Sequence, residues 1–580
     1  MSKTIRQIAA GHSDLWLAVA AVAGILVWRG WVVAHRPAHA REIADEISAV
    51  WHHPGDLHPN HANTYIVFDQ PTESGVGLFF SSVSGGTKKL ICQQAEQSWS
   101  WQLFGGLGWS PDDGWFACAL PPNDPKQPAE EIIIVNGVTG EGVVKLKASQ
   151  LLGDFAWLTP NSFAEVSWDG DSHDLTVVEQ VREGDWEEKS VIKKIGGKNM
   201  TALTATSAQS VAWREGDSLW SLDLAAPTPE KIWEATPTNK LVDFTYSQAD
   251  KEFALNCSDA TGQYLLRFYP PTHWLGDGGR IKGPGPDPIP GVTWYQKAPH
   301  YAYCGQSEGM NALYIKHNTN SELTRLPWPG DIYKFTLNGD TLYISGDTTN
   351  LPPGVWAYNL NSADLYFVGT ALDCPLKYAG LAAPASGMIT NAAGRVKLYH
   401  LWGPAVVSAG KKYPLIINQS TLGGPYPHIA ASMGYYFATV HRPGWFEGLD
   451  SWGEDVEGLY NILAQKPDID PHRVFLSGSS AETVALCQLL TEKPDQWAGA
   501  FLLSPSVLPD LDAVHLTSLF VVAGANDGDA IKRLTAFQNR ATDEGIFVKL
   551  VFLSGAGHIT RSLNSEREQL EQGAAFLSEN

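Results

Sequence analysis

Paired cysteines, a basic surplus and long apolar runs are scarce in this chain, and the first two scarcities each remove a class of function. The six cysteines in 580 residues (Cys92, Cys118, Cys257, Cys304, Cys374 and Cys487) stand singly. With no Cys-x-x-Cys pair, neither a zinc knuckle nor a redox motif is indicated. Buried free thiols are the expected state. Lys and Arg number 41 against 62 Asp and Glu, a formal net charge of -21. A phosphate-binding face has to be basic, so this balance argues against a nucleic-acid partner; a solvated acidic surface is the plain reading. No His-x-x-x-His pair with an acidic partner falls on a predicted helix, and His52, His53, His58 and His61 crowd a polar loop. Neither a metal nor an organic cofactor is expected.

One long apolar run exists. Leu15 to Trp28 (LWLAVAAVAGILVW) is unbroken, and Trp31 to Ala34 extends it past Arg29 and Gly30. A bilayer span needs about 20 apolar residues, so residues 15–34 are marginal. Three readings stay open. The run is a membrane anchor, a signal peptide with Lys3 and Arg6 ahead of it and Ala38-His39-Ala40 as cleavage site, or a buried helix. The first two carry more weight and put the protein in the cell envelope, anchored or exported, with the cytoplasm as the alternative. Basic residues on both sides leave orientation open. Nothing in the sequence fixes the oligomeric state.

What is present is a globular composition, 44% apolar and 18% charged, in a chain too long for one core. From about Leu57 to Thr370 short alternating runs dominate, such as Tyr65–Phe68, Glu131–Val135, Asp174–Val178, Tyr264–Phe268 and Leu313–Lys316. Gly, Asp, Asn and Pro clusters separate them, the pattern of antiparallel strands and tight turns. One phrase recurs: an aromatic strand end, a polar turn, an apolar strand. It runs Gly108 to Ala117, Phe155 to Ala164, Asp243 to Ala254 and, more loosely, Phe335 to Tyr343, with Val211-Ala212-Trp213 and Val292-Thr293-Trp294 between. Intervals of about 40 to 50 residues fit one four-stranded blade per repeat and about seven blades in all. The 22 tryptophans suit packing between blades. A β-sandwich is the competing fold, but one sandwich rarely needs so long a stretch. The reading divides the chain into an N-terminal segment (1–40), a β-propeller (41–375) and a third domain (376–580).

After Cys374 the pattern changes. A hairpin over Thr390 to Trp402 and a buried strand Lys411 to Asn418 lead to the turn Gly423-Gly424-Pro425. Strands then alternate with helices: Tyr436–Val440, a helix near Ser451 to Ala464, Val474–Leu476, a helix Ala481 to Leu490, Ala500–Leu503, Leu519–Val522, a helix Asp529 to Glu544, Val548–Phe552 and a closing helix. Alternation of this kind predicts a mostly parallel, doubly wound sheet of the α/β-hydrolase type. The stretch Val474-Phe475-Leu476-Ser477-Gly478-Ser479-Ser480-Ala481-Glu482-Thr483 runs from strand through Gly-x-Ser straight into a helix, as a nucleophile elbow requires. The turn lifts the Ser480 hydroxyl above the sheet, and the helix N-terminus, with the Ala481 amide, points at a developing oxyanion. Asp527 follows one late strand and His558 the next, so the order Ser, Asp, His is complete. In that scheme His558 takes the Ser480 proton and Asp527 fixes its tautomer.

A propeller followed by such a domain resembles the prolyl oligopeptidase family of serine peptidases, which includes dipeptidyl and acylaminoacyl peptidases. The residues that carry the resemblance are Thr390-x-x-x-Gly394, Tyr413-Pro414-Leu415-Ile416-Ile417, Gly423-Gly424-Pro425, Gly434-Tyr435, Trp452-x-x-Asp455-Val456, Gly478-x-Ser480, Gly524-x-x-Asp527 and Gly557-His558. The resemblance implies hydrolysis of short peptides through an acyl-enzyme, with the propeller screening out folded proteins.

Three departures from the family pattern bear on activity. Glu482 stands two residues after the serine, where the family has Gly, and a carboxylate aimed at the oxyanion would oppose it; Arg442 is one partner to turn it away. Leu422 stands where a Tyr or His supports the oxyanion hole, which leaves that role to backbone amides at Leu422 and Ala481. The segment between the Ser480 and Asp527 strands is short, and His441-Arg442-Pro443-Gly444-Trp445 replaces the usual Arg-Gly-Ser run. The leading expectation is a serine peptidase for short peptides. An esterase on the same scaffold, and a silent binding protein that uses the propeller face, are the alternatives.

Overall fold

The computed structural model describes residues 57–579 apart from internal stretches, the longest being 96–104, 121–128, 281–288, 369–383, 419–425 and 441–451. The apolar run at 15–34 lies outside the described residues. Among the described residues no helix is long and apolar enough to cross a membrane.

From residue 57 to 367 the described chain is a series of antiparallel sheets, and the reason they form a ring is visible in single strands. In Tyr65–Thr72, Ile66 and Phe68 pack with Tyr343, Val355 and Ala357 of the last sheet. Val67, on the opposite face, packs with Trp109, Phe116, Cys118 and Ile133 of the next. A strand with side chains buried on both faces needs a neighbour on each side, and a closed circle of sheets supplies both. The same division recurs in the second sheet. There Phe116, Cys118 and Ile133 face backward, while Ala117, Ile132 and Ile134 face forward onto Trp157, Phe163 and Trp186.

Six sheets are present among the described residues. Five are four-stranded, over 57–95, 200–234, 240–280, 289–328 and 332–367, and one, over 105–196, has seven strands. The seven-stranded sheet is two blades sharing one strand. Val144–Thr159 is 16 residues long; its first half pairs with Ala129–Asn136 and its second half with Ser162–Trp168. It is thus the outer strand of one blade and the inner strand of the next. The innermost strands form a circle of seven: Leu57–Pro59, Gly105–Trp109, the second half of Val144–Thr159, Met200–Ser207, Lys240–Ser247, Ile289–Tyr295 and Ile332–Asn338. Each adjoins the next, and the last adjoins the first.

First and last blades share no strand. Their seam is held by the apolar cluster around Phe68 and Tyr343 and by polar bonds. Asn338 Nδ2 donates to Asn60 O (2.6 Å) and Asn63 Oδ1 (2.6 Å), and the Tyr343 hydroxyl donates to Asn63 Oδ1 (3.1 Å). Val211-Ala212-Trp213 lies on the second strand of its blade, Ser210–Glu215, and the inner strand Met200–Ser207 (MTALTATS) carries no aromatic.

The C-terminal sheet has eight strands: β1 (Ala385–Thr390), β2 (Val396–Trp402), β3 (Tyr413–Asn418), β4 (Tyr436–Val440), β5 (Ile469–Ser479), β6 (Gly499–Leu503), β7 (Ser518–Gly524) and β8 (Phe547–Leu553), in the order β1-β2-β4-β3-β5-β6-β7-β8. The strands from β3 onward pair in parallel, while β1–β2 and β2–β4 are antiparallel. Among the described residues five helices cover it: α1 (Tyr426–Ser432), α2 (Trp452–Leu463), α3 (Glu482–Glu492), α4 (Ala530–Asp543) and α5 (Leu563–Glu579). Alternation in β3 sends Leu415 and Ile417 to one core with Val456, Leu486 and Leu534 of α2, α3 and α4. Ile416 goes to the other, with Ala430 of α1 and Phe576 of α5. Helix α1 was not expected from sequence; at seven residues (YPHIAAS) it offers no full apolar period. Cys118, Cys257 and Cys487 are buried free thiols. Burial pushes the last two up to about 12. The turn at Glu73 meets the start of α5, where the Asn564 amide donates to Glu73 O (3.3 Å) and Arg567 lies 3.8 Å from the Glu73 carboxylate.

Candidate active site

Strand β5 ends at Ser479, and α3 starts at Glu482. So abrupt a reversal forces Ser480 into the left-handed region, φ +47. For a residue with a Cβ this costs on the order of 1–2 kcal/mol and persists only where surrounding bonds hold it. The Ser480 amide donates to Leu503 O at the end of β6 (2.9 Å), and the Ser480 carbonyl accepts from the Thr483 amide (3.1 Å) and hydroxyl (2.6 Å).

The loops after β7 and β8 are stitched together above the same sheet edge. The Ala525 amide donates to Leu553 O (2.9 Å) and the Asn526 amide to Ala556 O (2.9 Å). Gly524 permits this closeness, since a Cβ there would sit 2.0 Å from Gly557 O and 2.3 Å from Ala556 O. The stitching brings the three sequence-selected side chains together. Ser480 Oγ lies 2.7 Å from His558 Nε2, and His558 Nδ1 lies 2.9 Å from Asp527 Oδ2. Ionised Asp527 only accepts, so Nδ1 carries the proton and Nε2 is left to accept from the serine hydroxyl. The His558 and Asp527 side chains are 17% and 11% exposed, enough shelter to strengthen both bonds while leaving an approach from solvent.

Glu482 does not face the oxyanion position. Its Oε2 accepts from the Ser479 amide (2.9 Å) and the Ser479 hydroxyl (3.0 Å), so the carboxylate is folded back onto the residue before Ser480. The expected conflict with the oxyanion is therefore corrected: the first-turn carboxylate finds donors within its own turn. Arg442, the partner weighed from sequence, lies outside the described residues, as do His441, Pro443-Gly444-Trp445, Leu422 and Gly423-Gly424-Pro425. The Ala481 amide donates to no described acceptor and opens the N-terminus of α3. Sequence reasoning missed Thr483 and Arg533. Thr483 Oγ1 accepts from the Ser506 and Val507 amides (3.2 and 3.3 Å), and Arg533 Nη2 donates to Pro505 O (2.8 Å), together fixing the loop after β6. The only signal for either was a polar residue next to a predicted helix start. No cluster of His, Cys, Asp and Glu suited to a metal occurs among the described residues.

No sequence-family model matches the chain, and no curated protein is similar to it in sequence. Similarity in fold is extensive. A puromycin hydrolase superposes with a TM-score of 0.67 at 14% identity, covering 93% of this chain and 96% of that one. A prolyl endopeptidase from a structural and mechanistic study of two such enzymes gives 0.64 at 12%, covering 95% and 94%. An acylaminoacyl peptidase in complex with Z-Gly-Gly-Phe-chloromethyl ketone gives 0.64 at 12%, covering 92% and 96%. The likeness runs the length of the described chain, and its two parts, a propeller and then an α/β-hydrolase sheet, make this the fold of the prolyl oligopeptidase family.

Proposed function

We propose that this chain is a serine hydrolase that cleaves short peptides through an acyl-enzyme formed on Ser480. The observation that carries the reading is the unbroken hydrogen-bonded series from Asp527 to His558 to Ser480, on loops from three different strands. His558 Nε2 takes the hydroxyl proton as Ser480 Oγ attacks the scissile carbonyl, and Asp527 holds the tautomer and stabilises the imidazolium. The tetrahedral oxyanion falls beside the N-terminus of α3, where the Ala481 amide is the described donor; the Leu422 amide is the second donor in this proposal. His558 then returns its proton to the leaving amine, and water repeats the sequence to release the acid. The propeller bounds the approach, so chains that cannot thread or fit beside it are excluded. Peptide rather than ester substrates are favoured because similar folds include a prolyl endopeptidase and an acylaminoacyl peptidase.

The test is turnover of N-blocked di- and tripeptide p-nitroanilides beside p-nitrophenyl esters, by the wild-type chain and by Ser480→Ala. Anilide turnover lost in Ser480→Ala supports the proposal. Ester turnover alone makes the protein an esterase. Turnover of neither removes the peptidase reading.

A further inference from the structure

Position 482, which the tight turn ordinarily keeps small, carries a carboxylate here, and the side chains of Glu482 and Thr483 reach back onto Ser479 and onto the Ser480 carbonyl respectively. On the amino side Glu482 Oε2 takes two donors from Ser479, the amide at 2.9 Å and the hydroxyl at 3.0 Å. Bonds to an ionised acceptor are roughly twice as strong as neutral ones. On the carboxyl side Thr483, a fully buried residue, donates its hydroxyl to Ser480 O at 2.6 Å while accepting from the Ser506 and Val507 amides. The Ser506 amide also reaches Ser480 O, at 3.4 Å. Ser480, at φ +47, is thus gripped through the residue before it and through its own carbonyl.

We propose that Glu482 and Thr483 are positioning residues that hold Ser480 in its strained conformation, in place of the small-residue packing such a turn would otherwise use. This rests on the reading of Ser480 as the nucleophile. A left-handed serine reverts unless neighbours over-determine it, and a hydroxyl displaced by a fraction of an ångström from the imidazole loses much of its reactivity. The brace has a second effect. It commits the Glu482 carboxylate to Ser479 and leaves the Ala481 amide to the oxyanion. A purely structural role, favourable charge at a helix N-terminus, would change stability and leave the chemical step alone.

The experiment separates these with the full chain and a fluorophosphonate, reading the saturating acylation rate, the half-saturating concentration and the melting temperature. Glu482→Ala and Thr483→Val are expected to acylate about tenfold or more slowly at unchanged half-saturation. Glu482→Gln, whose amide oxygen accepts both Ser479 donors, should stay within about threefold of wild type. Glu482→Ala acylating at the wild-type rate, or Glu482→Gly acylating faster, overturns the proposal. If Glu482→Ala does not fold, Ser479→Ala decides: it removes only the hydroxyl arm, and about a threefold slowing is expected, with none contradicting. A wild-type chain that takes no label refutes the hydrolase reading itself, and this role with it.

Discussion

Two buried histidines oppose the folded state as pH falls. His400 on β2 and His428 on α1 flank the Trp402 ring, at 5.9 and 6.3 Å between centroids, and desolvation holds both at about 4, below the usual 6.5. Folded, they stay neutral; in the unfolded chain they take protons below about pH 6.5. The unfolded state therefore binds more protons as pH falls, and the stability that their neutrality confers is complete above 6.5 and lost progressively towards 4. Each contributes about 3 kcal/mol at most. Urea midpoints measured from pH 7 to pH 4 should fall steadily, and a His400→Gln, His428→Gln double variant should flatten that fall. An equal slope in the variant would exclude these two side chains as its cause. Neither residue was singled out from sequence. A histidine in YHLW or YPHI looks like any other until the sheet and helix that bury it are in place. Ser480, Asp527 and His558 were legible because each stands just beyond a strong apolar strand. The bonds of Glu482 and Thr483 were not, because they depend on backbone turns that one residue's identity does not reveal.

Among the elements, the strands of the C-terminal sheet with fully buried runs, such as SLFVVAG and YFATV, could be read almost to their ends, whereas Ile469–Ser479 extends well beyond the expected Val474–Leu476 and Ala385–Thr390 lies ahead of the hairpin expected from Thr390. Propeller strands were legible where an aromatic marks the inner strand and obscure where it does not, as in Met200–Ser207. The shared strand Val144–Thr159 holds a blade boundary, at the repeat that begins with Phe155. Gly153-Asp154 stand within it, yet the strand continues through them, so two blades form one hydrogen-bonded sheet. That continuity makes the second and third blades a unit whose core is aromatic. Phe163 is fully buried, with ring centroids 5.5 Å from Trp157 and 5.7 Å from Trp186. Phe163→Ala should cost about 3–5 kcal/mol, read as a lower urea midpoint for the propeller transition. A change under about 1 kcal/mol would mean that this cluster is not where the paired blades derive their cohesion.

In the whole molecule the two parts are held differently. The ring closes through side chains at the Asn60–Asn338 seam without a shared strand, and the propeller meets α5 through polar contacts at Glu73. Those contacts are exposed and individually weak, whereas the elbow and the histidine loop are tied by several short bonds over one sheet edge. The proposed function places the chemistry on the C-terminal sheet and the selection of substrate on the ring. The direct test of that assignment is the intact mass and peptide map of the full chain after a fluorophosphonate reaction. One adduct per chain, on the peptide containing Ser480 and absent in Ser480→Ala and His558→Ala, is the predicted result. A wild-type chain left unmodified, or an adduct that persists in Ser480→Ala, would contradict it.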